Sequence, residues 1–154
     1  MIQRIQSLYL LLASICVFLC YVFSFAQFDD GINFNKQFDI NGFVINQINM
    51  VNLPYHVFIP LLAILSFISI FLYKNRKIQI ILIRINYILH FVLTILLYFS
   101  LQSIVKDDSI PPNLSVKYGL GFFLPVAGIA FLILANRAIK RDEELIKSID
   151  RLRG

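Results

Sequence analysis

Charge is scarce in this chain of 154 residues. Only 15% of them are Asp, Glu, Lys or Arg, against roughly a quarter in soluble domains, and none of the nine acids falls within the four longest apolar stretches. That absence counts against carriers coupled to protons or sodium, which keep a carboxylate near the bilayer midplane to bind and release the ion. Cysteine is almost missing too, with Cys16 and Cys20 the only pair. Four residues apart on one helix, they cannot reach disulfide geometry without unwinding it, so they read as small packing residues. Neither a glycine-framed serine nor a His-Glu-x-x-His pair occurs, and with them go the usual signatures of a serine hydrolase or a zinc protease. No catalytic residue, metal or cofactor is expected.

What the chain has in excess is apolar surface. Hydrophobic residues make up 58% and the mean hydropathy is +0.76, more than a water-soluble fold can bury. Four stretches, residues 5–26, 54–73, 78–101 and 116–136, each approach or exceed the roughly 20 residues a helix needs to cross a bilayer. The fold class predicted is all-α membrane, a single domain over residues 1–154 built as a four-transmembrane-helix up-down bundle. Ten of the 14 basic residues, namely Arg4, Lys74, Arg76, Lys77 and six in the tail, flank the ends shared by both termini. Only Lys36, Lys106 and Lys117 lie in the other two connections. Cytoplasmic flanks retain Lys and Arg during insertion, so both termini are expected inside, with outer loops at 27–53 and 102–115 and a cytoplasmic tail at 137–154. The net charge of +5 follows from this orientation signal and gives no reason to expect nucleic acid. The "SFAQ" at residues 24–27 resembles a secretory cleavage site, but the apolar run before it exceeds the 7 to 15 residues of a usual signal core. An uncleaved anchor helix is expected.

Within the first outer loop, "FDINGFVI" (residues 38–45) carries Asn41-Gly42 between β-branched and aromatic residues, a strong hairpin signal because both tolerate positive φ. A small extracytoplasmic β-hairpin is predicted there, with Phe38, Ile40, Phe43 and Ile45 packing on the helix ends, dipping into headgroups or meeting a partner. The tail continues as a cytoplasmic C-terminal amphipathic helix whose apolar stripe comprises Ile139, Leu145, Ile146, Ile149 and Leu152, flanked by opposite charges at i, i+4. Membrane surface, the short turn between the second and third helices, a second copy or a partner protein would cover that stripe. The mixed charge favours protein over anionic lipid.

Three residues interrupt the third apolar stretch. Arg84 lies about 10 Å beyond Lys77 at 1.5 Å per residue, close enough for its guanidinium to snorkel to the cytoplasmic interface and lipid phosphate. Asn86 and His90 share one face and lie too deep to escape, so they are expected to form an intramembrane polar seam with Ser66, Ser69, Ser14 or a carbonyl freed by Pro60 or Pro125. Gly121, Pro125 and Gly128, at i, i+4 and i+7, make a helix-packing face. Tyr55 stands at the outer end of the second helix, where an interfacial aromatic is expected.

The two ends, "MIQRIQSLYLLLASI" (residues 1–15) and "ANRAIKRDEELIKSIDRLR" (residues 135–153), resemble those of a family of small four-helix inner-membrane proteins from Bacteroidota that carries the label of unknown function. The resemblance implies a bacterial inner membrane, four spans and an uncleaved first helix, and it implies no activity. It directs attention to a cytoplasmic interaction face made of Gln3, Arg4, Asn136, Arg137, Lys140, Arg141, Asp142, Glu143, Glu144 and Arg151. The expected function is structural or accessory, with membrane lipids and a protein partner or a second copy as partners, and with neither nucleic acid nor a known small-molecule substrate. The alternative is a small oligomeric transporter or lipid-binding protein using Arg84, Asn86 and His90.

Overall fold

In a computed structural model the described residues are 3–29, 35–45, 48–49, 53–106 and 115–153. Four helices dominate: α1 (Gln3–Phe18), α2 (Tyr55–Phe71), α3 (Arg76–Val105) and α4 (Leu120–Arg153), with 3₁₀ turns at Leu19–Tyr21 and Leu72–Lys74. Three helical segments, Tyr55–Lys74, Arg76–Val105 and Leu120–Leu145, are long and apolar enough to cross a membrane, and the apolar first helix, Ile5–Tyr21, is shorter.

The packing is inverted relative to a water-soluble bundle. Along α3 the buried positions recur every three or four residues and include Gln79, Asn86, His90 and Ser100, while Ile81, Ile85, Ile88, Phe91 and Phe99 are exposed. On α2, Ser66 and Ser69 are buried while Leu61, Ile64, Phe67 and Phe71 face out. An exterior of that kind aggregates in water and is at home against lipid, where helices associate through small residues and polar contacts. Two apolar clusters fill the interior. One gathers Leu10, Ala13, Ile80, Ile83, Leu132, Ala135 and Ile139 towards the termini. The other lies at the opposite end, where the rings of Phe25, Phe38 and Tyr55 stand 5.3 to 5.9 Å apart and Phe28 meets Phe43 at 4.7 Å.

That second cluster sits under a sheet that hydropathy did not foretell. Strand β1 (Ala26–Asp29) pairs antiparallel with both β2 (Asn35–Phe38) and β5 (Ser115–Tyr118), giving the order β2-β1-β5. A separate pair joins β3 (Val44–Ile45) to β4 (Ile48–Asn49). A turn forms there, but one residue earlier than predicted: Asp39 and Gly42 bridge, so Ile40 and Asn41 are its central pair and Gly42, at φ 98°, closes it, while the Asp39 carboxylate accepts the Asn41 N–H at 2.8 Å. Its flanks do not pair with each other as expected: Phe38 belongs to a hairpin with β1, and Val44–Ile45 pairs onward to β4. Phe38 and Phe43 are fully buried, so this segment is a lid on the bundle. The sheet also corrects two span limits. The first helical run ends at Tyr21 instead of residue 26, and the fourth helix begins at Leu120 instead of 116, because Ala26 and Ser115–Tyr118 belong to strands. Tyr55, expected at the interface, is buried, and its hydroxyl meets Ser100 Oγ at 2.6 Å.

Two prolines open the helical hydrogen-bond ladder, and one short turn closes both gaps. Pro60 in α2 and Pro125 in α4 lack the N–H that would bond the carbonyl four residues earlier. The carbonyl of His56 instead accepts the Tyr21 hydroxyl at 2.7 Å. That of Gly121 accepts the Cys20 thiol at 3.7 Å. Consecutive residues of the 3₁₀ turn that ends α1 thus satisfy two different helices. Tyr21→Phe is expected to lower stability by about 1 kcal/mol, read by thermal unfolding in detergent with a thiol-reactive dye. Pro60→Ala restores the missing N–H, so the same substitution made in that background should cost close to nothing; an unchanged cost would mean that Tyr21 acts by some other contact.

Candidate functional site

Between the two apolar clusters lies the polar seam. The Asn86 amide Nδ2 donates to Ser66 Oγ at 2.6 Å, and that hydroxyl donates onward to the Leu62 carbonyl at 3.1 Å. Helices α2 and α3 are thereby joined through one of the serines expected. His90 Nδ1 lies 2.9 Å from the Asn86 carbonyl. A carbonyl only accepts, so Nδ1 carries the hydrogen and Nε2 of the neutral ring is an acceptor. Among the described residues, that Nε2 and Asn86 Oδ1 are buried without a hydrogen-bond partner, as is Asn136 Oδ1. Both Asn86 and His90 are fully buried.

Gly128 makes room for the histidine. A Cβ there would stand 3.0 Å from His90 Cδ2, 3.2 Å from Nε2 and 3.4 Å from Val17 Cγ2. Gly128 therefore packs α4 on both α1 and α3. Gly121 plays another part: its Cβ would meet the Phe23 and Ser24 carbonyl oxygens at 2.4 and 2.7 Å, and its N–H donates to Ser24 O at 3.1 Å. It meets the chain leaving α1, not a neighbouring helix, because the carbonyls it faces belong to the bend between the 3₁₀ turn and β1. Pro125, between them, is buried.

Arg84 is exposed. It shares no surface with Asn86 and His90, so the three do not line one cleft.

At the end bearing the termini, Gln6 of α1 is 6% exposed and donates its amide to Asp142 of α4, also 6% exposed. This corrects the sequence reading, which placed Asp142 on the open interaction face. The residue continues the inward row of Leu132, Ala135 and Ile139, and the polar partner in α1 turns it in. Gln6 was the available signal, a polar residue inside an apolar run; that α1 and α4 are neighbours is not written in either segment. Arg137, Lys140, Arg141 and Glu144 are exposed, while Asn136 and Glu143 are half-buried. The side chains of Gln3, Arg4 and Arg151 lie outside the described residues, as do those of Ile146, Ile149 and Leu152 in the apolar stripe.

Two grooves lined by described residues flank this end. One of about 490 Å³ runs between α1 and α4, lined by Ile5, Tyr9, Leu134, Arg137, Ala138, Arg141, Asp142 and Leu145. The other, about 480 Å³, lies beside the start of α3, lined by Lys74, Asn75, Arg76, Lys77, Ile78 and Glu143, with Arg76 Nη1 buried and without a partner among the described residues. Among the described residues no three of His, Cys, Asp or Glu gather into a metal-binding group.

An apolar exterior, helices of spanning length and a polar seam between apolar clusters define a helical protein of membrane type. The chain belongs to the family described as "Domain of unknown function (DUF4293)", whose model matches residues 2–152. Comparison with curated proteins and with solved structures finds no match.

Gly128→Ala is expected to cost about 1 to 2 kcal/mol by overpacking. Most of that cost should vanish in a His90→Ala background, because the ring is the nearest obstacle. Equal costs in the two backgrounds, measured by thermal unfolding, would assign the strain to Val17.

Proposed function

We propose that this chain is an integral inner-membrane protein of Bacteroidota with four spans and both termini in the cytoplasm. Its role is structural or accessory: it binds partner proteins or its own copies through the end where α1 begins and α4 runs out. The observation that carries this reading is that α4 continues unbroken to Arg153, 11 residues past Asp142, which bonds Gln6 of α1. That extension is about 16 Å of helix at 1.5 Å per residue. It carries exposed Glu144 and Leu145 beside exposed Arg137, Lys140 and Arg141, a mixed-charge surface with apolar members suited to protein contact. The basic residues concentrated at this end support its cytoplasmic placement.

Orientation is tested by single cysteines placed in a Cys16→Ala, Cys20→Ala background. Lys117→Cys should react with a membrane-impermeant maleimide in intact cells with an opened outer membrane, and Lys140→Cys only after lysis. The opposite pattern reverses the topology.

The accessory role is tested by removing residues 146–154, which leaves the Gln6–Asp142 contact in place. Loss of co-purifying protein or of self-association in mild detergent, with unchanged thermal unfolding, is the expected outcome. Full function after this deletion, together with loss of function in a folded Asn86→Leu, His90→Leu double variant, would overturn it in favour of a role centred on the seam.

A further inference from the structure

The groove between α1 and α4 has a divided chemistry. Ile5, Tyr9, Leu134 and Leu145 give it apolar walls. Arg137 and Arg141 stand one turn apart in one row of α4, and both are exposed. In the adjacent row lie Ala138 and Asp142, which line the same groove. Asp142 is 6% exposed and one of its oxygens, Oδ2, is held by the Gln6 amide, so the acid is fixed in orientation with lone pairs still to satisfy. The depth is also informative. From Leu120, where α4 begins, Arg137 lies about 25 Å and Arg141 about 31 Å along the helix, which is the far edge of a hydrocarbon layer roughly 30 Å thick.

A ligand here therefore meets two guanidiniums, one immobilised carboxylate and an apolar wall at headgroup level. A simple anion satisfies the arginines and is repelled by Asp142. A quaternary ammonium brings positive charge but no N–H to donate. A phosphate joined by a short spacer to a primary ammonium satisfies both sets, because the phosphate takes paired guanidinium donors and the ammonium donates three hydrogens to carboxylate oxygen. We propose that the groove binds the headgroup of a phosphoethanolamine lipid, its phosphate on Arg137 and Arg141, its ammonium on Asp142 and its chains along Leu134 and Tyr9. The assignment goes beyond the accessory role and stands or falls without it.

The test uses the full chain in detergent, given equal amounts of phosphatidylethanolamine, phosphatidylcholine and phosphatidylglycerol of the same acyl chains, with retention read by native mass spectrometry. The wild-type chain should retain phosphatidylethanolamine about tenfold better than either of the others, the scale of one charge-assisted hydrogen-bond set. Asp142→Asn still offers Gln6 an acceptor and should bring phosphatidylethanolamine to within about twofold of phosphatidylcholine. The Arg137→Gln, Arg141→Gln double variant should lose all three. Equal retention of phosphatidylethanolamine and phosphatidylcholine by the wild-type chain, or preference for phosphatidylglycerol, overturns the proposal, and so does an unchanged preference in Asp142→Asn. The wild-type ranking needs no variant and decides the matter if a variant fails to fold. Soluble phosphoethanolamine, supplied at the lipid's concentration, should not displace the lipid; displacement would make the free headgroup, not the lipid, the ligand.

Discussion

A backbone carbonyl inside hydrocarbon has no water to bond, so every one that a helix leaves open must be met from within the chain. Two prolines each leave one carbonyl open here, and the 3₁₀ turn that follows α1 meets both, at Cys20 and Tyr21. The answer fixes much else. The turn that presents the thiol and the hydroxyl ends α1 early, and the chain leaves it as a bend that brings the carbonyls of Phe23 and Ser24 against Gly121. From that bend β1 runs to pair with β5, whose last residue stands two before α4. The start of α4, its proline gap and the end of α1 are one connected arrangement.

The interior follows from the same solvent. With apolar surface no better buried than exposed to lipid, helices are held by close approach and by polar pairs. Gly128 against the His90 ring supplies the first, and Asn86 on Ser66 supplies the second. Gln6 on Asp142 repeats the device between α1 and α4 at the other level of the bundle.

The sequence was most legible where a residue's own burden decided its place. Asn86 and His90 were expected inside the bundle and both are fully buried, Asn86 on Ser66 of α2 but His90 on the Asn86 carbonyl of its own helix; apolar runs of spanning length gave α2 and α3 close to their limits. It was least legible where a remote segment decided. Val116 read as the start of a span, yet it pairs with Phe28, nearly 90 positions away. Asn41-Gly42 marked a turn to within one residue, Asp39 and Gly42 closing it around Ile40 and Asn41, but the choice of strand partners lay with β1 and β4. Asp142 belongs by composition to a charged tail and is buried by a glutamine at the opposite end of the chain.

The β1–β5 pairing has a consequence for the shape of the bundle. In an up-down arrangement of four helices the first and last need not meet, and the chain is then an open row with two edges. Here they are fastened at the sheet by strands Ala26–Asp29 and Ser115–Tyr118 and at the termini by Gln6 and Asp142. The row is closed into a ring, and separating the outermost helices means breaking both fastenings, one at each end.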